Sequence, residues 1–252
     1  MVARSISYVP VDFVKAQVIG LKPEHFQNNA LFNKPISIFN GELLSKTIYT
    51  YKNLTIKVFE NNNRVEFSGS LHTFYNDGKH NYNDFGKKRF NEALMRLSDT
   101  LNIRPENLYL LHLEWGYNIV PPKETNYVLD RLIQHKSVNK TVGVDCKIEG
   151  KYIQFKHSTM ILKIYNKGQQ FKLKDEVLRM EIKQTNWSKY WLQGVVTLQD
   201  FIDCDKTPFF YELLKQWRSV IFYDIDNTQT EHFYKYQTST FWDETRSTKS
   251  NK

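Results

Sequence analysis

Apolar and polar residues alternate with a period of two over several stretches of the chain, and each such stretch predicts a strand. Leu54-Thr55-Ile56-Lys57-Val58 alternates, Asn61-Asn62-Asn63 supplies turn chemistry, and Arg64-Val65-Glu66-Phe67-Ser68 alternates again, which predicts a β-hairpin. The run from His72 to Asp84 is rich in Asn, Asp, Gly and His and reads as a loop. Asp84 is then placed to cap a helix reaching Leu101, with Phe90, Leu94, Leu97 and Leu101 on one face. Leu108 to Val120 reads as a strand ended by Pro121-Pro122, and Thr125 or Asn126 starts a helix through Val128, Leu129, Leu132 and Ile133. The second half repeats this mixture. A hairpin is expected over Val142 to Phe155 around Glu149-Gly150, strands over His157 to Asn166 and Val177 to Gln184, and helices over Trp187 to Leu192, Leu198 to Ile202 and Pro208 to Trp217. Residues 1–46 read as an irregular lead-in with one or two strands, 47–236 as one functional domain, and 237–252 as a frayed tail. The expected fold class is α+β: an antiparallel or mixed sheet of ferredoxin- or RRM-like elements, open to duplication, with helices on one face and a polar face opposite.

Sorting the strands by parity defines that polar face. Val65, Phe67 and Leu71 alternate with Glu66, Ser68, Ser70 and His72; Leu111, Leu113, Trp115 and Tyr117 alternate with His112, Glu114 and Asn118. Leu162 and Ile164 alternate with Lys163 and Tyr165, and Leu178, Met180 and Ile182 with Arg179, Glu181 and Lys183. A half-exposed antiparallel sheet has a polar outer face in any case. The residue types narrow its role: Glu, Asn and His suit a hard divalent cation, Lys and Arg suit phosphate, and a tyrosine lies among them.

Composition agrees with a polyanionic partner. Thirty-five Lys and Arg against 27 Asp and Glu leave a net charge of +8, which attracts nucleic acid, and 15% aromatic residues offer rings for unpaired bases. The chain is 40% hydrophobic with 10 Gly and 7 Pro, which excludes collagen-like and wholly disordered classes. Asp12 and Lys15 interrupt the N-terminal apolar residues before a signal-peptide core can form, and no apolar run approaches a membrane span, so a cytoplasmic protein without membrane association is expected. Cys146 and Cys204 lack metal-ligand spacing and fit a reducing compartment.

A phosphodiester must be neutralised before a nucleophile can approach it, which calls for basic side chains and a divalent ion, here Mg²⁺ or Mn²⁺. Glu114 and Glu181 are the candidate carboxylate ligands, with Asn118 and His72 in the remaining positions; an ion pair with Arg179 or a neighbouring Lys is the competing role for Glu181. Tyr165 is the candidate nucleophile, its phenol activated by Lys163 or Lys167, because a tyrosine exchanges one phosphate ester for another and conserves the bond energy. His112, Arg179 and Lys183 on the sheet, with Lys79, His80, Lys87 and Lys88 of the 76–88 segment, are the candidate DNA contacts.

The pair LKIYNKGQQF and VLRMEIKQ resembles the core of rolling-circle replication initiators of the plasmid and filamentous-phage replication initiation factor type. In that family the tyrosine of a Tyr-Asp/Asn-Lys motif nicks DNA and acidic residues bind the metal. The resemblance therefore implies Tyr165 as nucleophile and Glu181 as metal ligand. LYLLHLEWGYNIV is similar to an earlier family strand of Arg-x-Asp-x-x-x-Asp pattern, which maps Glu114 and Asn118 onto the acidic positions and leaves His112 where the family often has Arg. GSLHTFYNDGKHNYNDF looks like the hairpin and loop of initiators from Bacteroidetes phages and plasmids, and the His-hydrophobic-His triplet of the better-known branch is absent. The implied activity is origin-specific nicking that leaves a 3′ hydroxyl for a host polymerase, with host helicase a further partner. The alternatives are a non-catalytic module gripping single-stranded nucleic acid, and a mobilisation relaxase.

Overall fold

The computed structural model describes residues 8–27, 29–142 and 150–223. In chain order the strands are β1 (Val11–Val18), β2 (Ile36–Asn40), β3 (Leu43–Tyr51), β4 (Leu54–Phe59), β5 (Arg64–Ser70), β6 (Leu108–Ile119), β7 (Leu132–His135), β8 (Val138–Asn139), β9 (Thr141–Val142), β10 (Tyr152–Lys156), β11 (Met160–Asn166), β12 (Leu178–Gln184) and β13 (Val220–Phe222). The helices are α1 (Leu71–Tyr75), α2 (Lys87–Leu101), α3 (Thr125–Asp130), α4 (Lys167–Gln170), α5 (Ser188–Trp191), α6 (Leu198–Asp203) and α7 (Thr207–Arg218). The fold class is the expected mixture of antiparallel sheet and helices.

The chain divides into two compact units, and two of the four points at which it passes from one to the other fall inside β6 and β12. The first unit, Pro10–Trp115 with Gln184–Asp205, orders its strands β2-β3-β4-β5-β1-β6, antiparallel throughout. Asn63, at φ +50°, turns β4 into β5, as the Asn run predicts. One sheet face is apolar: Val14, Ala16, Ile56, Val58, Phe67 and Leu110 are fully buried, and the α2 stripe Phe90, Ala93, Leu94, Leu97 and Leu101 is buried with them. Burying such side chains stabilises by about 1.5–3 kcal/mol each.

Several local expectations change. Residues 11–18 and 36–40 are strands within the segment expected to hold one or two, the first of them interior to the sheet, and residue 46 itself lies in β3. Residues 71–75 are helical rather than loop, because Ser70 Oγ caps them by accepting from the Thr73 backbone N–H at 3.0 Å. Helix α2 starts after Gly86, not at Asp84. In β6, Lys15 pairs with His112 but Ala16 pairs with Leu110, so Leu111 is a bulge. The extra residue reverses parity: Leu110 joins Leu113 and Trp115 in the core, while Leu111 is only half-buried.

The second unit holds Gly116–Lys183 with residues 8–9 and 206–223. Its larger sheet runs from the end of β6 through β12, β11 and β10 to β9, and a small sheet orders β13-β7-β8. Leu132 and Ile133, expected to prolong α3, begin β7, where His135 pairs with Val220 and Val138. Strands β9 and β10 pair antiparallel, as the expected hairpin requires, while Glu149 of its expected turn, Cys146 and the tail 237–252 lie outside the described residues.

Candidate active site

Strand alternation puts Lys163 and Tyr165 on one side of β11, and Arg179 and Glu181 on one side of β12. The carboxylate of Glu181 ties them together. Tyr165 Oη donates to Glu181 Oε1 at 3.0 Å, and Arg179 Nε donates to the same oxygen at 2.9 Å. Lys163 Nζ stands 3.9 Å from Glu181 Oε2. Arg179 Nη1 donates to Asn118 Oδ1 at 3.2 Å, so the guanidinium links β12 to β6.

Gly116 makes this approach possible. A Cβ at that position would collide with Met180 O and lie 2.8 Å from both Cα and Cγ of Glu181. Only a residue without a side chain lets the two strands pass so closely.

The polar side of these strands is enclosed. Tyr165 and Arg179 are each 5% exposed and Glu181 is 2% exposed, whereas a half-solvated platform was expected. Charge compensation explains how a carboxylate survives there: Arg179 and Lys163 offset it and the phenol supplies a further donor. Tyr152, the cross-strand partner of Tyr165, packs its ring 5.8 Å away at 43°.

Lys167 is buried as the first residue of α4, and its backbone N–H donates to Val177 O at 2.9 Å. Asn166 caps that helix by accepting from Gln169 N–H at 2.8 Å, and its amide donates to Asn126 Oδ1 at 3.0 Å. Asn118 is exposed and Lys183 half-buried.

The remaining candidates belong to the first unit. His72 lies within hydrogen-bond distance, 2.6 Å, of Asn83 Oδ1 and stacks on Phe85 at 4.3 Å. Glu114 is buried, and His112 faces Lys15 at the bulge. Lys79, Lys87 and Lys88 are exposed, and His80 stacks on Tyr82 at 4.1 Å. Sequence reading missed Asp12 of β1, whose carboxylate accepts from Ser70 Oγ at 2.6 Å and Asn81 Nδ2 at 3.0 Å. It thereby anchors the Asn-rich segment to the sheet. Its only signal was a polar residue among the apolar Val11, Phe13 and Val14.

Among the described residues no group of three or more His, Cys, Asp and Glu side chains is placed to hold a metal ion. In the second unit the two expected ligands Glu181 and Asn118 hold Arg179 between them, so an attached cation already occupies the donors that a divalent ion would use. Glu181 and Asn118 by themselves therefore form no ready-made Mg²⁺ or Mn²⁺ site.

The chain shares the fold of a solved rolling circle replication initiator protein. That protein is from Geobacillus stearothermophilus; the likeness covers 93% of each chain with a TM-score of 0.52 and 13% sequence identity. No family model matches the chain, and no curated protein matches it. Within this initiator fold, Tyr165 and Glu181 lie on neighbouring strands of the second unit, with Lys163 and Arg179 on the same carboxylate. No helix among the described residues is long and apolar enough to cross a membrane.

Proposed function

We propose that the chain initiates rolling-circle DNA replication by nicking one strand at an origin, with Tyr165 as nucleophile. The observation that carries this reading is the 3.0 Å hydrogen bond from the Tyr165 phenol to a carboxylate that Arg179 and Lys163 also contact. The fold shared with a replication initiator agrees with it. The substrate is origin DNA, single-stranded or in a hairpin, and the exposed Lys79, Lys87 and Lys88 with His80 are its expected contacts in the first unit. Host polymerase and helicase would act on the nicked product in the bacterial cytoplasm.

In the reaction, Tyr165 Oη forms a bond to phosphorus while the bond from phosphorus to the 3′ oxygen breaks. The phenol proton passes to Glu181, and the departing 3′ oxygen takes up a proton from solvent water to become the primer hydroxyl. The 5′ phosphate remains on the tyrosine. A phenol is a much weaker acid than a carboxylic acid, so complete transfer before attack is uphill. The proton therefore moves as the new bond forms, and Lys163 and Arg179 offset charge on the phenol oxygen and the phosphate. Dependence on Mg²⁺ or Mn²⁺ is read from the assay.

The test mixes the protein with end-labelled single-stranded origin DNA, with Mg²⁺, with Mn²⁺ and with EDTA, and resolves covalent adducts on denaturing gels. Wild type should form a protein-DNA adduct and Tyr165→Phe none. Identical products from the two proteins would remove Tyr165 from the reaction. The 5% exposure of Tyr165 favours the second reading, a single-strand-binding module that does not cut; it is indicated if wild type binds the strand, with or without EDTA, and never forms the adduct.

A further inference from the structure

The first unit carries a second charged surface, on the sheet face opposite its apolar core. Strand registers lay it out in rows. Lys46 and Arg64 flank Phe59 across β3, β4 and β5, at 5.9 Å and 4.2 Å from the ring centre. One row further, Ile48, Lys57, Glu66, Gln17 and Tyr109 pair in succession from β3 to β6. The next row pairs Thr50, Thr55, Ser68, Lys15 and His112. Lys15, Lys46, Lys57 and Arg64 thus share one face, on which Glu66 is the carboxylate within these rows and Glu114, two residues from His112, is buried. Glu66 braces two of these cations: Lys15 Nζ is 3.1 Å from Oε2 and Arg64 Nη2 is 3.3 Å from Oε1. Both cations keep solvent access, at 29% and 41% side-chain exposure.

We infer that this face binds the phosphate backbone of duplex DNA, a role separate from the Tyr165 site and resting on the reading of the chain as a DNA-handling protein. Four cations and the hydroxyls of Thr50, Thr55 and Ser68 are phosphate donors. With strands about 4.8 Å apart and alternate residues about 6.7 Å apart, the four charges span about 20 Å from Lys46 to Lys15 and, across the strands, roughly 14 Å. A duplex carries about eight backbone charges in the shorter of these lengths. Unpaired bases are the poorer fit, because Arg64 and Lys46 already lie over Phe59, leaving Tyr109, 40% exposed, as the ring open to stacking in these rows.

Binding is measured in the Tyr165→Phe background, so that no covalent step contributes, against a fully paired duplex, its separated strands and an RNA duplex of equal length. Replacing Lys15, Lys46 and Lys57 by Gln spares the Arg64-Glu66 pair. The triple variant should bind the DNA duplex at least about tenfold more weakly at 0.1 M salt, and its slope of log K on log salt should shrink by about 2.7. Single strands should lose less. A melting temperature matching the parent shows that the fold is kept; if the triple variant unfolds, Lys46→Gln with Lys57→Gln replaces it, with a slope change of about 1.8. An unchanged slope in a folded variant overturns the inference, equal losses on single strands overturn the choice of duplex, and tighter binding to the RNA duplex overturns the choice of DNA. Adduct formation by wild type reports on Tyr165 separately, so failure of one reading does not pass for failure of the other.

Discussion

Gly116→Ala isolates the close passage of β6 and β12. The added methyl would sit 2.8 Å from Glu181 Cα and Cγ, roughly 0.7 Å short of a comfortable carbon contact, and would also strike Met180 O. Two of the three obstructing atoms are backbone, so a rotamer change cannot clear the clash. Overpacking of this kind costs about 1–3 kcal/mol, against a gain of about 0.4–1 kcal/mol from a stiffer unfolded chain. The net loss is about 1–2 kcal/mol, a fall in melting temperature of about 2–8 °C for a protein of this size. Gly86→Ala is the matched control: its φ is −75°, the nearest obstructing atom is Asp84 Oδ2 at 3.8 Å, and the change should stay within about 0.5 kcal/mol. Paired thermal melts read the difference. Because the displaced strand carries Glu181, Gly116→Ala should also slow adduct formation at temperatures where it remains folded. If the two variants melt together, the strands do not need the missing side chain; if Gly116→Ala melts early yet forms the adduct at the wild-type rate, Gly116 does not position the carboxylate.

Glu181→Ala withdraws the carboxylate from Arg179, Tyr165 and Lys163 together, and chemical denaturation should show a loss of about 3 kcal/mol or more. Glu181→Gln keeps an oxygen for the phenol and should lose at least about 1 kcal/mol less; near-equal stability of both variants and wild type would show that the acid holds none of these partners. His135 and His157 define an acid-sensitive contact, with ring nitrogens 2.7 Å apart. Burial pulls His135 down to about 4, helped by the neighbouring His157 and Lys136, and burial with Lys136 also lowers His157. The unfolded chain therefore binds more protons between about pH 6.5 and pH 4. Stability falls as pH drops through that window, by roughly 3 kcal/mol for His135, and levels off below it. Urea melts from pH 7 to pH 4 should show this slope in wild type and a clearly smaller one in His135→Phe, where His157 still titrates; an equal slope in both assigns the titration elsewhere.

Where local chemistry and tertiary structure agree, the sequence was readable. The β4-β5 hairpin has alternating strands on both sides of an Asn turn, and the α2 stripe from Phe90 to Leu101 repeats at helical spacing. Parity placed Lys163, Tyr165, Arg179 and Glu181 on a common side, and the contacts at Glu181 join all four. Bulges defeated the same reasoning elsewhere: β1 slips register between Val11 and Val14, which hid it as a strand, and β6 slips at Leu111. Leu132 and Ile133 suit either periodicity, and pairing with β13 decides for strand.

Alternation names the side on which a residue lies but not what covers that side, so the burial of the polar face was the harder feature to foresee. An isolated carboxylate could not be enclosed to 2% exposure without moving to its neutral form. Arg179, two residues away on the same strand, supplies the compensating charge and permits both sides of β12 to be buried. The Arg-x-Glu spacing is thus a burial signal as well as a motif. The same carboxylate holds the Tyr165 phenol at 3.0 Å, and under the proposed reaction it would receive the phenol proton. Stability and chemistry at this carboxylate therefore draw on one arrangement. Substitutions that preserve the charge balance but remove the phenol should separate them.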